Sequence, residues 1–230
     1  MSKLTYLQLT NRVLGRITNT TISNVTAATG NALIVTQLIN EAQTWLFTEE
    51  DWYSLYTSRT FNTSASTSTY AVATAFGRCI SLTDTTNNRV LNEDYSRSFD
   101  EIDPNQSTSG IPELFGIEGS NYRLWPIPAG TYSITDRYWK IPTALAANTD
   151  TSDLPIECEN VIIQYAFRGL LEYLNKIEQA DRASVRLAQE LARASVANKR
   201  RLDKMRVLTS SRKFEGSLVA PRLPSNYPAV

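Results

Sequence analysis

Few side chains in this 230-residue sequence could do chemistry, and carboxylates lead them. Glu49, Glu50 and Asp51 stand together in TEEDW, and Asp100, Glu101 and Asp103 in SFDEIDP. Neighbouring carboxylates can hold a cation, or cleave a glycan when about 5 to 9.5 Å apart in a cleft. Neither cluster has the central glycine and terminal glutamate of a calcium loop, so the two read as a helix end and a surface loop. Cys79 and Cys158 are too few and too far apart for a disulfide framework or a metal site, and suggest a reducing compartment. The chain has no histidine. That removes Ser-His-Asp and Cys-His catalysis, most zinc sites and the usual near-neutral acid–base group. The basic run NKRRLDKMR could grip phosphates. It has neither interleaved aromatics nor a recognised binding motif, so an acidic protein surface suits it better. No catalytic, cofactor or metal site is expected, and the protein reads as a non-enzyme.

Partners are therefore sought in the charge pattern and the surfaces. The chain carries 23 basic and 23 acidic side chains, yet they are unevenly placed. From Arg182 onward 11 Lys/Arg face 3 Asp/Glu, a balance of +8, which leaves −8 for residues 1 to 181. Opposed ends suit a molecule that meets different partners, or a neighbouring copy of itself, at each end. The N-terminal residues lack a signal-peptide pattern, and no apolar run approaches the roughly 18 residues of a membrane span. A soluble protein made in the cytoplasm is expected. The Asn-X-Ser/Thr triplets at Asn19, Asn24, Asn62 and Asn105 then arise by chance in an Asn/Thr-rich chain.

The elements that place these groups are legible from periodicity. Tyr6, Leu9, Val13 and Ile17 mark a first amphipathic helix; Val35, Leu38, Ile39, Ala42, Trp45 and Leu46 mark a second. The middle third turns to β-branched and aromatic residues with partial alternation, and predicts antiparallel strands. On one of them Tyr132, Ile134, Asp136 and Tyr138 share a face; TTNN at 85–88 and IPAG at 127–130 predict turns. From Asp153 to Arg206 the pattern reads as one long helix, with a stripe from Ile163 through Phe167, Leu170, Leu174, Ile177, Ala180, Leu187 and Leu191 to Ala194. Some fifty helical residues would span about 75 Å, so the helix either breaks near Asp181 or projects. Beyond Arg206, Pro221, Pro224 and Pro228 favour an extended arm, with Phe214, Leu218 and Tyr227 among its apolar anchors. The expected fold is α+β, a helical bundle dominated by one long C-terminal helix, with an inserted antiparallel β region and an extended C-terminal arm. Its segments are residues 1–53, 54–152, 153–206 and 207–230.

The most specific stretch is SGIPELFGIEGSNYRLWPIPAGTYSITDRYWKIPTAL, with Gly110, Pro112, Trp125, Pro126, Pro128, Tyr138, Trp139 and Pro142 as its fixed points. Together with INEAQTWLFTEEDW before it and DLPIECENVIIQYAFRGLLEYL after it, it resembles the head-to-tail adaptors of tailed bacteriophages, the podovirus type also called tail tubular, neck or connector proteins. The resemblance covers roughly residues 4 to 200 and implies a ring, commonly of twelve copies, beneath the portal protein of the capsid. A tail or nozzle protein would meet its other face, and genome DNA would cross the lumen unread. It implies a structural virion protein at the head-to-tail interface, made in the host bacterial cytoplasm. Portal or inter-subunit contacts are expected from Arg182, Arg186, Arg193, Lys199, Arg200, Arg201 and Arg206, and from Phe214, Leu218 and Tyr227. The competing expectation is a soluble module that binds carbohydrate or a host surface through exposed Trp125 and Trp139.

Overall fold

The computed structural model describes residues 2–17 and 19–211, with side chains described as far as Lys204. The first helix, α1 (Tyr6–Leu14), opens on a reciprocal cap. The Gln8 N–H donates to Thr5 Oγ1 at 3.3 Å, while the Thr5 N–H donates to Gln8 Oε1 at 3.0 Å. Two of the N–H groups that every helix start leaves unpaired are thereby satisfied. The second helix, α2 (Asn31–Glu49), follows Gly30, which has a positive φ.

Between α2 and the later helices the chain builds a curled sheet. Its strands are β1 (Tyr56–Asn62), β2 (Thr69–Ala71), β3 (Phe76–Asp84), β4 (Arg89–Glu93), β6 (Leu114–Glu118), β7 (Asn121–Trp125) and β9 (Ser133–Lys140), in the order β1-β9-β3-β4-β6-β7-β2. A two-stranded ladder joins β5 (Ser109–Gly110) to β8 (Ile127–Pro128). The pairing is antiparallel, as expected, at β1–β9, β9–β3, β3–β4, β6–β7 and β7–β2, while β4 runs parallel to β6 and β5 parallel to β8, which makes the region mixed. The short helix α3 (Ser96–Ile102) stands between β4 and β6 in sequence, and such a crossover is what a parallel return needs. The turn expected at 85–88 forms, organised by the Asp84 carboxylate, which accepts from the N–H groups of Thr86 and Asn87. Ile127 and Pro128, expected in a turn, form β8 instead. Strand β9 buries Ile134, Asp136 and Tyr138 on one face, as its alternation predicts. Phe61 on β1 lies 5.3 Å from Tyr70 on β2, so the two edge strands of the curled sheet approach each other.

The long C-terminal helix expected from Asp153 is two helices. Helix α4 (Glu159–Tyr173) stops, and α5 (Ile177–Ser211) runs back along it. The break lies at 174–176, five to seven residues before Asp181, and Asn175 causes it. This residue adopts φ +57°. Its N–H donates to the Glu172 carbonyl at 2.9 Å and the Lys176 N–H donates to the Leu171 carbonyl at 2.9 Å. These bonds form a Schellman closure with asparagine in the left-handed position that glycine usually takes. Hydrophobic continuity across Leu174 and Ile177 hides the reversal from a periodicity reading.

The bundle core joins Leu9 and Val13 of α1, Val35, Ile39 and Leu46 of α2, and Val161, Ile162 and Leu170 of α4. Helix α5 adds Leu187 and Ala194. Gly169 leaves room for Leu38 of α2 against α4, since a Cβ there would sit 2.7 Å from the Leu38 side chain. A second core, of Leu82, Leu91, Phe115, Tyr122, Leu124 and Ile134, fills the curled sheet. Strand β3 meets the bundle side at Gly77, where an added Cβ would strike the Phe47 ring at 2.3 Å and the Trp139 carbonyl at 2.8 Å.

Candidate assembly surface

Most residues of both acidic clusters are used inside the chain. The Glu50 carboxylate accepts from the Ser195 hydroxyl at 3.0 Å, Asp51 pairs with Arg78, and the Asp51 carbonyl accepts from Asn198 Nδ2 at 2.7 Å. The Tyr53 N–H donates to Asn198 Oδ1 at 3.0 Å, so buried Asn198 clips α5 onto the end of α2. In the second cluster Asp100 pairs with Arg123 and Glu101 with Arg97. The Thr108 N–H and then Ser107 hold the Asp103 carboxyl below the usual aspartate range. No group of three or more His, Cys, Asp or Glu able to hold a metal occurs among the described residues. Burial, then Asp136, pushes the Cys79 thiol up to about 12, and burial raises Cys158 further, so neither is a ready thiolate.

The buried Asp136 carboxylate accepts from the Tyr122 hydroxyl at 2.9 Å and from Arg59 Nε at 3.2 Å. Burial raises its carboxyl pKa despite both partners. Arg59 also donates to the Ala71 carbonyl, so this one charged network ties β1, β9, β7 and β2 together. It braces the sheet.

The fixed points of the β-region stretch fall into two groups. Gly110 and Pro128 pair across the β5–β8 ladder, Pro126 packs against Gly110, and Pro112 is buried nearby in sequence. The Trp125–Pro126 peptide is cis. Tyr138 and Trp139 instead lie on β9, where Tyr138 faces the sheet core and Trp139 packs toward the bundle against Tyr56; half-buried Pro142 follows that strand. Trp125 is only half-exposed and its indole N–H is buried. Both tryptophans are partly buried, short of the exposed pair expected of a glycan-binding module.

Helix α5 carries most of the expected contact residues, and its period separates them. Arg182, Arg186, Arg193 and Arg200 follow at steps of four, seven and seven, which keeps them on one exposed face. Lys199 is exposed beside them. Arg193 is joined to Glu190 at 2.7 Å; among the described residues Arg182, Arg186, Lys199 and Arg200 form no ion pair. Arg201, though exposed, is turned onto residues of its own chain. Its guanidinium lies 4.6 Å above the Tyr53 ring and bonds the Tyr53 hydroxyl and Glu157. Arg206 lies in the last turns of α5, and its side chain is outside the described residues, as are Phe214, Leu218 and Tyr227.

Two contributors were missed by the sequence reading. Arg16, just past α1, lies over the Phe167 ring at 5.6 Å, and its neighbour Ile17 packs on Ala180 and Ala183 of α5. Burial, then Arg186 and Arg12, lowers the Arg16 pKa, so α1 adds two guanidiniums to the basic face at Arg186. The i, i+4 spacing of Arg12 and Arg16 was the available signal.

A family model described as SU10 adaptor protein matches residues 4–214, from the start of α1 to beyond α5. The chain belongs to the SU10 adaptor protein family. This adaptor is thus a phage structural protein, a virion component that joins other virion proteins. A search of curated proteins finds no match. No helix of the adaptor is long and apolar enough to cross a membrane, among the described residues.

Proposed function

We propose that the adaptor assembles as a ring between the capsid portal and the tail of a podovirus-type phage, commonly in twelve copies, with genome DNA crossing the lumen. It acts by positioning its partners and catalyses nothing. Synthesis takes place in the host cytoplasm, and the protein then docks at the head-to-tail interface. One observation carries the reading: an exposed α5 face holds Arg182, Arg186 and Arg200 without an anionic partner among the described residues. Arg182 and Arg186, four residues apart on the helix, repel one another. An acidic partner relieves that repulsion, and the portal or a second adaptor can supply it. The family match supplies the phage context.

Light scattering of the purified full chain, alone and mixed with its portal, tests the proposal. A defined ring, formed alone or on the portal, is the expected result. A chain that stays at its 25.8 kDa monomer mass in both conditions overturns it.

A further inference from the structure

The outward face of α5 is apolar as well as basic. Val185 and Val196 are 60% and 51% exposed, and exposed Ala188 and Ala192 lie between them. Arg193 and Arg200 bracket Val196 along the helix. A surface that mixes aliphatic area with exposed guanidiniums, of which Arg193 is shared with Glu190 and Arg200 has no ion pair among the described residues, suits a partner that mixes apolar side chains with carboxylates.

The same chain displays such a surface elsewhere. Where β4 leads into α3, Tyr95 is 85% exposed, the most open large hydrophobic side chain among the described residues. Val90 and Ile102, five and seven residues from it in sequence, are 62% and 55% exposed. Tyr95 follows Glu93 and Asp94 directly, and neither forms an ion pair among the described residues. Residues 89–123 hold seven acidic side chains (Glu93, Asp94, Asp100, Glu101, Asp103, Glu113, Glu118) and three basic ones (Arg89, Arg97, Arg123), a net of −4. Tyrosine is well suited to meet arginine, because its ring face attracts a guanidinium while its body buries apolar area.

Helix α3 packs on β6, whereas α5 packs on α4 and on the two short turns at 53–55 and 156–158. The acidic-aromatic knob and the basic-apolar helix face thus belong to different parts of the molecule. Two different, complementary patches on one chain make a head-to-tail contact, the kind that closes a cyclic ring.

The geometry points to the Tyr95 knob of one copy seating on the Val185–Val196 face of α5 in the next, with Glu93 and Asp94 meeting Arg193 and Arg200. The pairing rests on the ring reading, and the occupant of the α5 face is a second copy of this chain.

Two full-length variants test it by light scattering, each alone, mixed together and with the portal. Glu93→Lys/Asp94→Lys reverses the knob; Arg193→Glu/Arg200→Glu reverses the helix face. Each alone is expected to drop from ring mass to the mass of one chain. Mixed in equal amounts they are expected to recover wild-type assembly, since every contact again joins opposite charges; that recovery also shows that both variants are folded. If wild type assembles but either variant does so unaided, or the mixture stays monomeric, the pairing is overturned while the ring stands. Loss of portal binding alone by Arg193→Glu/Arg200→Glu, with its ring intact, assigns the α5 face to the portal and likewise overturns the pairing. A wild-type chain that never assembles overturns the ring and the pairing together.

Discussion

Arg200 and Arg201 are adjacent in sequence and opposite in use. Arg200 stands exposed on the outer face of α5, while Arg201 is committed to the Tyr53 ring and Glu157. Reversing the charge of Arg200 is expected to change stability by no more than about 0.5 kcal/mol, because no described partner is lost. Arg201→Glu removes a cation–ring contact and turns an ion pair into a repulsion, so a loss of about 1–2 kcal/mol is expected. Urea unfolding of the two single variants decides it; equal midpoints would contradict the internal role of Arg201. The basic character of both residues is plain in the sequence. The distinction between them is not, since it depends on Glu157 and Tyr53, 44 and 148 residues away. The acidic residues of TEEDW were hidden likewise: Ser195 and Asn198 satisfy that segment from a distant helix.

At the level of elements, the outcome at α4 and α5 turned on Asn175. A side chain in the left-handed region costs about 1 kcal/mol or more unless it is glycine or asparagine. Asn175→Gly is expected to leave stability unchanged or raise it slightly, whereas Asn175→Val should lower it by about 1–2 kcal/mol. Thermal melts of both variants check the sign, and a more stable valine variant would refute the Schellman closure. Helices α1 and α2 and the alternation of β9 were readable because each buries one face on a fixed local period. Parallel pairing of β4 with β6 was not, since strand direction is settled by the crossover through α3 and leaves no mark in the strands. The same limit applied to the reversal at 174–176, where apolar side chains line both sides of the break. The β5–β8 ladder, two residues long on each side, is too short for any pattern.

For the whole molecule, charge separation is the controlling feature. The −8 of residues 1 to 181 and the +8 that follows are now resolved into particular surfaces. Part of the negative charge is neutralised within the fold, by Arg78, Arg123 and Arg201. Among the charge left exposed are an acidic knob at Tyr95 and a basic face on α5, joined by Arg12 and Arg16. An association driven by such surfaces is screened by salt, whose Debye length falls from about 10 Å at 0.1 M to about 3 Å at 1 M. Sedimentation of the assembled adaptor between these concentrations should show progressive dissociation; an assembly that tightens throughout would indicate a mainly apolar interface. Overall architecture, lack of histidine and the basic C-terminal stretch could be taken from the sequence. The acidic counterpart could not, because Glu93 and Asp94 look no different from the carboxylates that the fold consumes.

Strands β1 and β9 are hydrogen-bonded neighbours, with Tyr56 opposite Trp139. The chain therefore enters the sheet and leaves it at almost the same place, across the roughly 5 Å that separates paired strands. For the bundle, the eighty or so residues between those positions are a loop whose two ends already touch. An insertion of that shape can grow, shrink or be exchanged for another without redirecting α2 or α4. A lineage of such chains can thus retailor what the sheet presents while inheriting the helical frame intact.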